Sequence, residues 1–189
     1  MTMMRSVTVD AGAREGRGVL YRWPSVLGLV AAGLQFAAGV ERESVAITLC
    51  VAALCYLGAA AWGRPWIAWA GIAGGSVVVV VSEVAGLVWW GGVGGAAGAL
   101  VVVGVVTGAS RPVLTAQTVA LLGYGSLAVT ALFLAPRLGL ALAGLALMAH
   151  AAWDLRHYLR DEVVPRSLAE FCVLLDVPLG IGAVVVAVA

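Results

Sequence analysis

The sequence predicts an all-α protein, a polytopic integral membrane protein folded as a bundle of seven transmembrane helices. Three observations predict this class, and the first is composition. The 189 residues are 62% hydrophobic and only 11% charged, and the mean hydropathy is +1.04. An ordinary globular domain is about 45–50% apolar and about 25% charged. A soluble protein of this size exposes too much surface to water to hide such a composition. The lipid bilayer is therefore its first expected partner.

The second observation is that charges divide the chain into uncharged runs. Crossing about 30 Å of hydrocarbon takes about 20 mainly apolar residues. The first run, 23–40, ends at the Glu-Arg-Glu sequence 41–43. The second run, 44–62, ends at the Gly-Arg-Pro sequence 63–65. Each run predicts one transmembrane helix.

The next stretch, 66–110, contains only one charged residue, Glu83. It is long enough for two crossings. We place the turn between them at the glycine-rich segment 91–95, because clustered glycines are typical of turns and the two preceding tryptophans suit a membrane interface. A turn at residues 82–83 is the alternative.

The last three predicted spans are 113–135, 138–154 and 168–189. The helix that begins at residue 138 should continue beyond the membrane boundary to about Arg160, because no glycine or proline interrupts its second half. Pro165 should mark the turn into the last helix, since the residue before a proline avoids helical geometry.

The distribution of arginine is the third observation, and it predicts the orientation. With the N-terminus inside, nine arginines fall on inner segments and two on outer segments. The positive-inside rule expects this for seven spans with the C-terminus outside. The inner set is Arg5, Arg14, Arg17, Arg22, Arg64, Arg111, Arg156, Arg160 and Arg166, and the outer set is Arg42 and Arg137. Residues 1–22 are then a cytoplasmic N-terminal arm, and residues 23–189 form the transmembrane domain of a multi-pass protein of the cell membrane.

Residue usage excludes several classes of function. A net charge of +1 leaves no basic patch for nucleic acid. All eleven basic residues are arginine, so no lysine can form a Schiff base with retinal or pyridoxal phosphate. Cys50, Cys55 and Cys172 lie in apolar runs and predict buried thiols rather than a disulfide or a zinc site. Glycine pairs four residues apart permit close helix packing, within the chain or between copies in an oligomer.

The densest polar group in the spans consists of His150, Asp154 and His157, which a helix places within about 60° of one another on one face. Ionisable side chains inside a membrane are costly and mark a functional site or a packed pair. The last span returns with Glu170 and Asp176. Candidate functional residues therefore lie on two sequential spans.

Imidazole and carboxylate groups are the ligands of zinc and of non-haem iron. We therefore predict a site for Zn or Fe formed by His150, Asp154, His157 and Glu170 near the cytoplasmic side. His150, Asp154 and Glu170 should converge across the last helical hairpin. Asp176 lies deeper, and it and Glu170 are the candidate acid–base catalytic residues.

Three functions are open for this site. The first is a membrane-embedded enzyme, metal-assisted or acid–base, that acts on a lipid-soluble small molecule. The second is a proton-coupled small-molecule carrier that uses the same acids as relay groups. The third is a non-catalytic accessory membrane subunit, in which the polar residues form only an ion-pair network and the charged loop before the last helix docks a partner.

Overall fold

A computed structural model describes residues 22–189 of the chain. These residues form seven α-helices and no strand. The helices are α1 (Trp23–Ala38), α2 (Arg42–Trp62), α3 (Ile67–Val84), α4 (Trp89–Val106), α5 (Arg111–Phe133), α6 (Pro136–Arg160) and α7 (Arg166–Val188). The predicted fold class, an all-α bundle of seven helices, is confirmed. The arm predicted for residues 1–22 lies outside the described residues apart from Arg22.

Six of the seven helices, α2 to α7, are long and apolar enough to cross a membrane. The exception, α1, is a shorter apolar helix of 16 residues, about 24 Å at 1.5 Å per residue. It packs along α7 at Gly28, where a Cβ atom would collide with the Phe171 carbonyl oxygen. The side of the membrane on which each terminus lies stays a prediction.

Turn residues explain where several helices end. Gly63 follows α2 at φ 61°, and Gly86 stands in the loop after α3 at φ 70°. Glycine adopts this left-handed conformation without a steric penalty. As predicted, α6 extends to Arg160, and Pro165 immediately precedes α7.

The turn predicted at residues 91–95 is wrong. The turn between α3 and α4 lies at residues 85–88, closer to the alternative at residues 82–83. The glycines continue α4 instead, and Gly92 packs against α3, where a Cβ atom would collide with the Ser82 hydroxyl. In membrane helices, small residues permit close helix approach as well as turns, and Gly92 has the former role here.

The central helix of the bundle is α2. Fifteen of its 21 residues are buried, and it packs against α3, α4, α5, α6 and α7. A helix that is apolar on all sides is expected at such a position. Tyr56 is its one large polar side chain that is fully buried, so the phenol hydroxyl of this residue lies in the interior of the bundle.

A close approach between α6 and α7 positions the candidate site. A Cβ atom on Gly144 would stand 2.8 Å from the Gly180 carbonyl oxygen, and one on Gly180 would stand 2.6 Å from Met148 Cγ. The missing side chains let the two backbones come together. This contact brings His150 of α6 against Asp176 of α7.

Candidate functional site

The interior face of α6 carries three polar side chains. His150, Asp154 and His157 have exposed fractions of 0%, 0% and 1%. The face that the sequence predicts is therefore present and buried. The structure divides its residues into two groups, because His150 and Asp154 contact α7 while His157 contacts α5.

The first group joins α6 to α7. His150 Nδ1 lies 2.9 Å from Asp176 Oδ2 and 3.2 Å from Asp154 Oδ2. Asp176 is fully buried as well. Each of the three residues offers one ligand atom within 4.8 Å of those of the other two. We call His150, Asp154 and Asp176 the His/Asp cluster.

A tyrosine of α2 forms one wall of the His/Asp cluster. The Tyr56 hydroxyl donates a hydrogen bond of 2.6 Å to Asp154 Oδ1. Its ring meets His150 and His157 edge-on, with centroids 5.8 Å and 4.9 Å apart. Sequence reasoning missed this residue, although a signal existed. Tyr56 is the only hydroxyl between residues 49 and 62, and a buried phenol usually has a hydrogen-bond partner.

Three buried atoms of the His/Asp cluster have no hydrogen-bond partner among residues 22–189, namely His150 Nε2, Asp154 Oδ2 and Asp176 Oδ1. Buried polar atoms are hydrogen-bonded in the great majority of cases, so unpaired ones call for a physical reason. No arginine among residues 22–189 forms an ion pair with the cluster. Within the described residues, the two carboxylates of the cluster therefore face one imidazole and no arginine.

Two ionised carboxylates beside a neutral imidazole would make this arrangement costly. An ionised carboxylate buried alone in an apolar interior is so costly that it takes up a proton, pairs with a cation or coordinates a metal. One divalent cation would neutralise the two carboxylates beside a neutral imidazole. Protons on the imidazole and on one carboxyl group would also give neutrality. A divalent cation and two protons are therefore the two ways in which the His/Asp cluster reaches neutrality.

The second group is a complete hydrogen-bond network around His157. Its Nδ1 atom lies 2.8 Å from the Trp153 carbonyl oxygen, which can only accept, so Nδ1 carries the proton. The Nε2 atom then accepts from the amide of Gln117 at 3.1 Å. The Gln117 carbonyl oxygen accepts from Trp153 Nε1 at 3.2 Å. Both ring nitrogens of His157 are occupied, so this predicted metal ligand has no free electron pair for an ion.

Glu170, another predicted ligand, lies outside the His/Asp cluster. Its Oε1 atom accepts a hydrogen bond from the hydroxyl of Ser25 on α1. Depth explains the difference. Asp176 is ten residues into α7 and His150 is ten residues from the end of α6, so both lie about 15 Å from the α6–α7 loop. Glu170 is only four residues into α7, about 6 Å from that loop.

Other residues singled out by the sequence stand apart from the His/Asp cluster. Glu83 is exposed at the end of α3. Cys50, Cys55 and Cys172 are buried free thiols, which confirms their prediction as small buried side chains. These four residues add no ligand to the cluster.

A cavity of about 580 Å³ lies between α2, α4 and α5. Small and apolar side chains line most of it, among them Leu57, Val93, Gly94, Gly98 and Leu121. Its volume is within the range of small-molecule pockets, about 300–1,000 Å³. It shares no lining residue with the His/Asp cluster and is a separate feature of the bundle.

Comparisons with protein-family models, with curated proteins and with solved structures find no match to this chain. Its function is therefore inferred from the chemistry of the His/Asp cluster.

Proposed function

We propose that this multi-pass protein of the cell membrane is a membrane-embedded enzyme whose His150, Asp154 and Asp176 hold one divalent metal ion. The proposed ion is Zn or Fe, and the proposed substrate is a lipid-soluble small molecule. One observation carries the proposal: three fully buried ligand groups converge, and within the described part of the chain three of their atoms are unpaired and no arginine pairs with them.

The chemistry of the donors supports a metal. One imidazole nitrogen and two carboxylate oxygens are ligand types that suit zinc and non-haem iron. Two carboxylates and a neutral imidazole balance the charge of a divalent ion, which removes the electrostatic penalty of burial. Tyr56 would act as an outer partner, because its hydroxyl bond fixes the orientation of Asp154.

The ion and the surrounding residues would divide the chemistry. A bound ion would supply a Lewis acid, or lower the pKa of a coordinated water. Tyr56 would hold the Asp154 carboxylate in place, and Asp176 would hold His150 through Nδ1. Glu170, which the sequence makes a catalytic candidate, has no place in this proposal because its carboxylate binds Ser25.

A proton-coupled carrier is the second candidate, and one distance favours it. The 2.9 Å between His150 Nδ1 and Asp176 Oδ2 is that of an ordinary hydrogen bond.

A carrier also needs a polar route to both sides of the membrane. Residues 138–149 of α6 and 177–189 of α7, which run from the cluster to the far end, contain no hydrogen-bonding side chain. This one-sided polarity supports an ion-holding site over transport.

Thermal unfolding of the purified protein with added divalent ions tests the metal. A ligand that binds only the folded state stabilises it by about 2.7 kcal/mol at a hundred times its Kd. Zn²⁺ or Fe²⁺ should raise the Tm of the wild type and of Asp161→Asn, and should leave Asp176→Asn unchanged. Asp161 is the matched control, because it is an exposed aspartate outside the cluster.

Reconstitution tests the enzyme. The protein is placed in vesicles made from a total membrane lipid extract, and the lipids are followed by mass spectrometry. A product that needs the ion and disappears with Asp176→Asn is the expected result. Ion binding without any change in the lipids would reject the enzyme and favour the accessory subunit.

A further inference from the structure

Two side chains of α5 face the two histidines of α6 in matching register. Gln117 and Tyr124 are seven residues apart, as are His157 and His150. Gln117 binds His157. The ring of Tyr124 stands nearly perpendicular to the imidazole of His150, with centroids 5.0 Å apart. Each histidine therefore has its own neighbour on α5.

The two neighbours differ in what they do. Gln117 completes the hydrogen bonds of His157, and it is 2% exposed. Tyr124 covers His150 but sends its hydroxyl elsewhere, to the Ala149 carbonyl oxygen at 3.1 Å. The Nε2 atom of His150 is left without a partner. Tyr124 therefore covers the imidazole of His150 but forms no hydrogen bond with it.

Tyr124 also links the buried imidazole of His150 to the outside of the bundle. Its side chain is half-buried, whereas His150 is fully buried and Ala149 is exposed. Its chain neighbours Gly123 and Gly125 have no atom within 4 Å of the positions their Cβ atoms would occupy. The ring packs against the core and His150, and its one hydrogen bond is to a backbone carbonyl.

We propose that the contact between α5 and α6 at Tyr124 is the place where a ligand dissolved in the bilayer enters to reach His150. Tyr124 closes the entrance, and displacing its side chain opens it. The inference rests on the proposed function in one respect, that the His/Asp cluster acts on a lipid-soluble molecule. The ligand class is an apolar molecule that carries one polar group, since the cluster, with the ion that it would hold, is the polar spot in an otherwise apolar interior.

The competing route leads from water at the α6–α7 loop, past His157. A ligand that entered beside His157 would have to break the hydrogen bonds that join Gln117, Trp153 and His157. Leaving buried donors and acceptors unpaired costs about 1–3 kcal/mol each. The Tyr124 route breaks one hydrogen bond at the edge of the bundle. Lateral entry is therefore the less costly opening.

Carbethoxylation of histidine by diethyl pyrocarbonate tests the entrance in protein reconstituted in vesicles. Bound metal is first removed with a chelator, and the modification of each histidine is followed by mass spectrometry. The chain has two histidines, so His157 is an internal reference for His150. Tyr124→Ala should raise the rate at His150 about tenfold or more, because opening no longer breaks the Ala149 bond or the ring contact. The rate at His157 should not change.

Two further variants make the result decisive. Tyr124→Phe keeps the shielding ring and loses only the hydroxyl bond, so its rate at His150 should lie between wild type and Tyr124→Ala. Gln117→Ala should expose His157 and leave His150 unchanged. An unchanged rate at His150 in a folded Tyr124→Ala protein would overturn the entrance, as would faster modification of His150 in Gln117→Ala. Because this readout needs no ion, it can fail or succeed independently of the metal proposal.

Discussion

His150 and His157 lie seven residues apart on one buried face of α6, but only His157 has hydrogen-bond partners for both ring nitrogens. The difference comes from their neighbours. His157 meets a backbone carbonyl and an amide, and neither group can be charged. His150 meets two carboxylates through a single nitrogen. A structural role accounts for His157, whereas His150 belongs to the cluster that we propose holds a cation.

The network of His157 should contribute to stability and not to ion binding. Gln117→Leu removes the amide that serves both His157 Nε2 and Trp153 Nε1. We expect the free energy of unfolding to fall by about 1–3 kcal/mol, the cost of leaving buried polar groups unpaired. Denaturant unfolding in detergent micelles, followed by circular dichroism, measures it. Loss of ion binding in a stable Gln117→Leu protein would show that the network belongs to the site.

The hydroxyl of Tyr56 should tune the affinity for the ion. Tyr56→Phe keeps the ring that contacts both imidazoles and removes the donor to Asp154. Loss of such an outer partner lowers metal affinity about 10–100-fold, and competition with a chromophoric chelator measures this change.

Tyr158→Phe is the matched control for this substitution. Tyr158 lies near the end of α6, where Arg166 stands over its ring. Its substitution should leave the affinity unchanged. Equal affinities of Tyr56→Phe and wild type would argue that the orientation of Asp154 is irrelevant to binding.

The contact between Gly144 and Gly180 should hold the His/Asp cluster together. A Cβ atom at Gly144 would stand 2.8 Å from the Gly180 carbonyl oxygen and 2.9 Å from Ala183 Cβ. Gly144→Ala should separate α6 from α7, lower the free energy of unfolding by about 1–3 kcal/mol, and weaken ion binding.

Gly95→Ala is the control for the glycine contact, because no atom lies within 4 Å of the position of its Cβ. Both variants can be compared by denaturant unfolding and by ion titration. Two equally stable proteins with equal affinity would contradict the role assigned to helix approach at Gly144.

The sequence predicted most of the fold for physical reasons. Charged residues cannot lie unpaired in hydrocarbon, so the charges at residues 41–43 and at Arg64 mark helix ends that the structure reproduces within a few residues. The turn between α3 and α4 was placed wrongly because no charge interrupts residues 84–110, and glycine alone does not distinguish a turn from a packing contact.

Part of the candidate site could also be predicted from the sequence. Helical spacing placed His150 and Asp154 on one face, and their carboxylate partner was expected on the last helix. The identity of that partner depends on the relative depth of α6 and α7. This depth is set by the length of the connecting loop and by the glycine contact, and equal spacing from the loop selects Asp176 over Glu170. Tyr56 comes from a helix distant in sequence, which helical spacing alone does not place.

The orientation in the membrane follows from the arginine count and can be tested directly. Reporter fusions after Arg160 should indicate the cytoplasm, and fusions after Ala189 should indicate the opposite side. The reason is that arginine is enriched on cytoplasmic loops. With a cytoplasmic N-terminus, a C-terminus on the cytoplasmic side and Arg160 on the opposite side would indicate six crossings, in which case the 16-residue helix α1 would not span the bilayer.

If the His/Asp cluster holds one divalent ion, metal analysis of the purified protein should detect it. Inductively coupled plasma mass spectrometry should find about one Zn or Fe per chain in the wild type and in Asp161→Asn. It should find almost none in His150→Ala or Asp176→Asn. A wild-type protein without a stoichiometric ion, or an ion that persists in Asp176→Asn, would contradict the account and leave a proton-bearing cluster in its place.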